Sequence, residues 1–205
     1  MREGLMLRDL CFLDWGPISL TQPVGGILGL SGDSGSGKSL LLRAVADLLS
    51  SSGEILWNGV LCSTVTAPVW RKRVGLLPAN PVWWYDRVGA HFIHDMSGYV
   101  EQLGFGSDVL AWEVARLSSG ERQRLALIRM LDREPECLLL DEPTANLDGR
   151  SCEQVESLIG RYLAEKKSTR AAILVSHDPS LLSRIAQQHL VMKDRMLFPA
   201  EEVRS

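Results

Sequence analysis

One octapeptide constrains this 205-residue chain more than any other stretch: Gly32-Asp33-Ser34-Gly35-Ser36-Gly37-Lys38-Ser39. It fits the pattern GxxxxGK[ST]. A short apolar run at 27–30 precedes it and a helix-period segment at 40–49 follows it, which is the strand–loop–helix setting the pattern requires. The chemistry follows from the residue types. Glycines let a backbone wrap an anion with successive N–H groups pointing inward, and the start of the following helix adds positive potential. Lys38 supplies a point charge for the outer phosphates of a nucleotide. The Ser39 hydroxyl is a ligand for Mg²⁺.

The rest of the chain supplies a matching scaffold. Short apolar runs alternate with helix-period segments, so an α/β fold with a largely parallel sheet is expected. Residues 137–140, Cys-Leu-Leu-Leu, read as a fully buried strand that delivers Asp141 and Glu142 at its C-terminal end. Open α/β sheets bind ligands at that end. Asp141 is placed to hold Mg²⁺ through its water shell, and Glu142 to orient or deprotonate an attacking water. Residues 5–13 look like an edge strand. Asn58-Gly59 joins 54–57 to 60–62 as a hairpin, since both turn residues tolerate positive φ. Residues 73–77 and 171–175 are further strands, and 189–192 and 196–198 close the chain. Residues 118–132 and 151–166 are helices. The second is amphipathic, with Val155, Leu158, Ile159, Tyr162 and Leu163 on one face. Asp178-Pro179 opens a last helix, with Pro at its permitted first position. Residues 79–117 hold several tryptophans and glycines with weak periodicity, and suggest a small helical insertion.

Composition excludes several classes. There are 22 Lys and Arg against 25 Asp and Glu, a net charge of −3, so a nucleic-acid binder driven by charge is not expected. No apolar stretch approaches the ~20 residues of a transmembrane helix. The N-terminus MREGLMLRDL lacks a secretory pattern. Cys11, Cys62, Cys137 and Cys152 are scattered, without CxxC spacing, and read as free thiols in a reducing cytoplasm. His91 and His94 stand close to Asp95, but no further metal ligand lies near them, and they read as part of a solvated helix or loop.

Between the glycine loop and the paired carboxylates lies Leu117-Ser118-Ser119-Gly120-Glu121, followed by Arg122-Gln123-Arg124. It resembles the LSGGQ signature of ABC-type ATPases. Pro143-Thr144-Ala145-Asn146-Leu147-Asp148 is similar to that family's D-loop, and His177 in Ser176-His177-Asp178 to its switch histidine. The resemblance implies a single P-loop NTPase domain over 1–205. It would have a mixed, largely parallel sheet, an N-terminal antiparallel β portion and an inserted helical subdomain at 80–117. It implies Mg-ATP hydrolysis, with Glu142 and His177 catalytic. Residues Gly32, Asp33, Ser34, Gly35, Ser36, Gly37, Lys38 and Ser39 would bind ATP, and Ser39 and Asp141 the metal. Two copies would pair head to tail. Ser118, Ser119, Gly120 and Glu121 of one would then meet the γ-phosphate held by the other, and Asp148 would couple the two subunits. Locally, Ser118 and Glu121 also form an S-x-x-E capping box. The family places an aromatic before the glycine loop to stack on adenine; Trp15 and Phe12 are the candidates, with Trp15 preferred for its polar, turn-like surroundings.

The resemblance further implies a separately encoded transmembrane permease and a peripheral position on the inner face of the membrane. The general look is that of small bacterial exporter-type subunits, including those linked to iron or other metals. The alternatives are a soluble ABC ATPase of repair, chromosome maintenance or translation, and an ATP-gated module with weak turnover. Two departures matter. Ala79 stands where the family has a glutamine, with Asn80 adjacent, and alanine has no polar side-chain atom. Trp83, Trp84 and Tyr85 follow at once, where the family receives a coupling helix; they suit either a partner surface or the core of the small insertion.

Overall fold

The computed structural model describes residues 3–203. In chain order the elements are β1 (Leu5–Phe12), β2 (Trp15–Gln22), β3 (Ile27–Ser31), α1 (Lys38–Val45), β4 (Ser52–Trp57), β5 (Val60–Leu61), α2 (Ala67–Arg73) and β6 (Val74–Leu77). There follow α3 (Ser97–Gln102), α4 (Ser119–Leu131), β7 (Cys137–Asp141), α5 (Gly149–Glu165), β8 (Ala171–Val175), α6 (Pro179–Ile185), β9 (Gln188–Lys193), β10 (Met196–Pro199) and α7 (Ala200–Val203). The expected α/β class holds: a four-stranded sheet, β2-β1-β4-β5, lies beside a six-stranded sheet, β10-β9-β3-β8-β7-β6. The first is antiparallel. The second is parallel except for the terminal β9–β10 pair.

Two apolar layers sandwich the larger sheet, and the alternation of side chains divides each strand between them. Leu28, Leu30, Leu139 and Ile173 join one core, while Leu138, Leu140, Ala172 and Leu174 join the other. Strands buried on both faces must be apolar throughout, which is why β7 and β8 read as continuous hydrophobic runs. The face of α5 expected to be apolar, from Val155 to Leu163, is buried. Asn58 and Gly59 both take left-handed φ, 49° and 78°, as the hairpin turn requires.

Several expectations are corrected. The strand at 5–13 is not an edge: β1 is flanked by β2 and β4. The partner that covers it begins at Trp15, within the stretch read as turn-like. Gly16 and Pro17 hide a strand whose period-two pattern is plain from Ile18 onward, with Ile18, Leu20 and Gln22 buried and Ser19 and Thr21 exposed. The helix expected at 40–49 ends at Val45, because Asp47 adopts left-handed φ, 57°. Residue 73 belongs to α2, which local periodicity did not reveal. Only Trp70 of that helix is buried, with its indole N–H donating to the Val45 carbonyl at 2.8 Å. Residues 79–117 contain α3 and short 3₁₀ turns at Val88–His91, Ser107–Ala111 and Val114–Arg116.

Candidate functional site

The topology gathers the chemistry at one sheet end. Chains leaving β3, β8, β7 and β6, which are adjacent in that order, carry the glycine loop, His177, Asp141 with Glu142, and Ala79. These residues line a single cavity of 210 Å³. It lies at the carboxyl ends of parallel strands, where such sheets bind ligands.

The loop at 32–37 is curled around its own lysine. Lys38 is buried, and its Nζ donates to the carbonyls of Gly32 and Asp33 at 2.8 Å each. Burial lowers the lysine pKa, and Glu142, Asp141 and Asp33 pull it back up. Two glycines are required by their surroundings. Gly32 has φ 141°, and a Cβ there would lie 2.3 Å from the Met192 carbonyl. Gly37 has φ 104° and caps α1; its Cβ would strike the Trp15 indole at 2.4 Å. The N–H groups at the start of α1 are the donors that such a loop offers to an anion.

Asp141 is buried at the last position of β7. Ser39 and Asp141 line the same cavity, and neither side-chain oxygen is spent on a protein hydrogen bond among the described residues. Two free hard oxygen donors beside a phosphate cradle fit Mg²⁺, which binds through one or two protein oxygens, water and phosphates. Glu142 departs from strand geometry, with left-handed φ of 51°, a strained conformation for a non-glycine residue that is common at functional sites. Its amide donates to the Val175 carbonyl at 3.1 Å. Its Oε1 is buried and lies 3.5 Å from His177 Nε2, and it accepts no hydrogen bond among the described residues. Burial lifts the Glu142 pKa above the ordinary carboxylate value; His177 opposes the lift, Asp141 adds to it and Lys38 opposes it. A carboxylate with an unsatisfied oxygen next to an exposed imidazole is equipped to take a proton from water.

The signature lies on α4. Ser118 caps the helix: its hydroxyl accepts from the Glu121 amide at 3.2 Å, and Glu121 Oε2 accepts from the Ser118 amide at 2.8 Å. The capping box is therefore formed as expected. Those hydrogen bonds, the Ser118 amide first, hold the Glu121 carboxyl below its usual range. Ser118 and Ser119 are exposed. Gly120 faces the D-loop; a Cβ there would come within 3.0 Å of Leu147 Cδ2. Asp148 is exposed and caps α5, accepting from the Ser151 amide at 2.8 Å.

Of the two aromatic candidates, Phe12 is 2% exposed and belongs to the core. Trp15 is half-buried, and its Nε1 donates to the Ser36 carbonyl at 2.7 Å, bracing the glycine loop. Arg195, in the β9–β10 turn, lies 5.5 Å over the Trp15 ring and donates to the Asp14 carbonyl. Sequence reasoning missed this neighbour, because no local pattern links residues so distant in the chain. It also missed Gln123, a buried amide that donates to the Pro78 carbonyl at 3.4 Å and ties α4 to the strand end bearing Ala79. Ala79 lines the cavity.

The aromatic cluster divides. Trp83 packs on the core, while Trp84 and Tyr85 are 59% and 54% exposed. His91 is not part of a solvated loop: it is 3% exposed. Its Nε2 accepts from the Trp84 and Tyr85 amides at 3.2 and 3.0 Å, and its Nδ1 contacts the Arg87 carbonyl at 3.1 Å. Burial lowers its pKa, in keeping with a neutral ring whose Nε2 is an acceptor. His94 instead pairs with Asp132 at 2.8 Å. Among the described residues no group of three or more His, Cys, Asp or Glu is placed to hold a metal by itself. All four cysteines are unpaired. No helix among the described residues is long and apolar enough to cross a membrane.

Known proteins match this arrangement. The family model described as ABC transporter matches residues 16–145. The probable iron export ATP-binding protein FetA of Escherichia coli (strain K12) is 34% identical over 174 residues, covering 78% of this chain and 76% of that protein. The lipoprotein-releasing system ATP-binding protein LolD of Shewanella denitrificans is 36% identical over 204 residues, covering 90% and 86%. The nickel import ATP-binding protein NikO of Rhodobacter capsulatus is 32% identical, covering 91% and 83%. An ATP binding subunit of an ABC transporter shares the fold with a TM-score of 0.85 at 16% identity, over 98% of this chain and 91% of that one. A bacterial Atm1-family ABC exporter with ATP bound shares it at 0.83 and 23%, with 96% of this chain covering 38% of that one.

Proposed function

The chain belongs to the ABC transporter family as an ATP-binding, ATP-hydrolysing subunit, and from that premise we propose how its residues power a permease. The glycine loop from Gly32 to Gly37 and Lys38 bind the nucleotide phosphates, and Trp15 offers its ring to the base. Ser39 and Asp141 hold Mg²⁺, which when bound neutralises phosphate charge. Glu142 accepts a proton from the attacking water, and His177 positions that water and the γ-phosphate. Ser118, Ser119, Gly120 and Glu121 complete the site of a second copy, and Asp148 couples the two. Residues 80–117 form the inserted helical portion that meets the permease on the inner face of the membrane. The single observation that carries this reading is the shared cavity, in which Lys38, Ser39, Asp141, Glu142 and His177 converge.

The exposed start of α4 supports pairing. The N-terminus of the signature helix, with Ser118 and Ser119 exposed, faces solvent and is open to an anion brought by another molecule. The test is Glu142→Gln, which keeps the shape of the site and removes the base. Turnover should fall about 10²–10⁴-fold, and light scattering at millimolar Mg-ATP should show a dimer that the nucleotide-free protein does not form. A variant that stays monomeric under those conditions would falsify the pairing.

A further inference from the structure

Asn58-Gly59 and Asp194-Arg195 both form hairpin turns with left-handed φ at the two central residues. The first uses the residue pair that such a turn prefers. The second, closed by the Lys193–Met196 pair between β9 and β10, has φ of 50° at Asp194 and 67° at Arg195. Glycine fits that last position with least strain, because it has no Cβ. An arginine there carries backbone strain, and strained residues cluster at ligand clamps.

The turn is tied to the strand opening that carries Trp15. The Gly16 amide donates to the Arg195 carbonyl at 3.4 Å, and Arg195 Nη1 donates to the Asp14 carbonyl at 3.2 Å. The guanidinium carbon stands 5.5 Å from the centre of the Trp15 ring. Guanidinium groups that cover a ring in this protein lie closer: Arg170 is 3.5 Å from the centre of Tyr162, and Arg116 is 3.9 Å from that of Trp112. Arg195 therefore attends the indole without sealing it. The ring itself is fixed, since its Nε1 donates to the Ser36 carbonyl and Gly37 packs against it.

The guanidinium keeps unused donors. Arg195 is exposed, and among the described residues its side chain makes one hydrogen bond, to Asp14. A guanidinium donates and never accepts. On a purine edge it matches the paired acceptors O6 and N7, whereas adenine offers N7 beside an amino group that is itself a donor. We propose that Arg195 reads the nucleobase: a purine stacked on Trp15 meets the guanidinium at its edge, and purines with an oxygen at C6 gain over adenine. The proposal rests on the reading above that Trp15 offers its ring to the base. It adds the residue that reads the base edge, and the class of base, 6-oxopurines, that the site takes alongside adenine.

The test is titration calorimetry of the full chain with Mg-ADP, Mg-IDP and Mg-pyrophosphate, none of which has a γ-phosphate to hydrolyse. IDP carries an oxygen at C6 in place of the adenine amino group. Arg195→Met should lower the affinity for IDP relative to ADP about tenfold, the scale of a bidentate arginine contact to a base edge, and leave pyrophosphate unchanged. Arg195→Gly, which suits the left-handed turn, should do the same. An IDP-to-ADP ratio that survives both variants would overturn the proposal. So would an equal loss of ADP, IDP and pyrophosphate, which marks a contact to phosphate instead. Trp15→Ala tests the underlying reading and should weaken both nucleoside diphosphates more than pyrophosphate. If both keep their affinity, the reading of Trp15 falls and this inference with it. If both weaken while Arg195→Met leaves their ratio unchanged, only this inference falls.

Discussion

Glu142 combines three costs in one residue: a left-handed backbone, a partly buried carboxylate and an oxygen, Oε1, that is buried with no hydrogen bond among the described residues. A folded-state pKa raised by burial means the folded protein holds a proton that the unfolded chain releases. Stability then falls as pH climbs from the ordinary carboxylate value through the raised one. Glu142→Gln should therefore melt higher than the natural protein at neutral pH. The gain should vanish in melts taken below the ordinary carboxylate range; a variant that melts lower at neutral pH would refute the account. Ala79 poses the opposite problem, since the cavity wall there has no polar side-chain atom. Ala79→Gln should raise steady-state ATP turnover, with unchanged turnover showing that no amide is needed. His91 shows why residue types alone mislead. A histidine near another histidine and an acid suggests solvent or metal, yet its partners are backbone amides of a loop that sequence spacing could not place around it.

At the scale of elements, the helix beginning at Ser118 was legible because its signal is local. A capping box spans only four residues, and its hydrogen bonds form wherever the helix sits. Ser118→Ala should cost about 1 kcal/mol of stability, read by urea denaturation. It should also lower turnover more than that loss of stability explains, because the same residue opens the anion-binding face. β2 and α2 were illegible for opposite reasons. β2 carries the right alternation, but a Gly-Pro opening disguises its start. α2 buries one large residue, Trp70, so it has no apolar stripe to detect. Its position comes from where that indole finds the end of α1.

At the scale of the molecule, the site exists because four adjacent parallel strands end at one level. The glycine loop, His177, the paired carboxylates and Ala79 come from separate parts of the chain and meet only through the order β3-β8-β7-β6. The exposed signature places half of the proposed chemistry on a second copy, which is why the trapped Glu142→Gln dimer is a whole-molecule outcome and not a property of one residue. Sequence by itself determined the α/β class, the glycine loop with Lys38 and Ser39, the strand that delivers Asp141 and Glu142, and the cap at Ser118. Each is written in contiguous residues whose backbone geometry or burial follows from their neighbours. Only the tertiary structure decided that β1 is central, that Trp15 braces the glycine loop and that His91 is buried. Those facts depend on which distant groups come within a few ångströms and shut out water, and no local pattern encodes that.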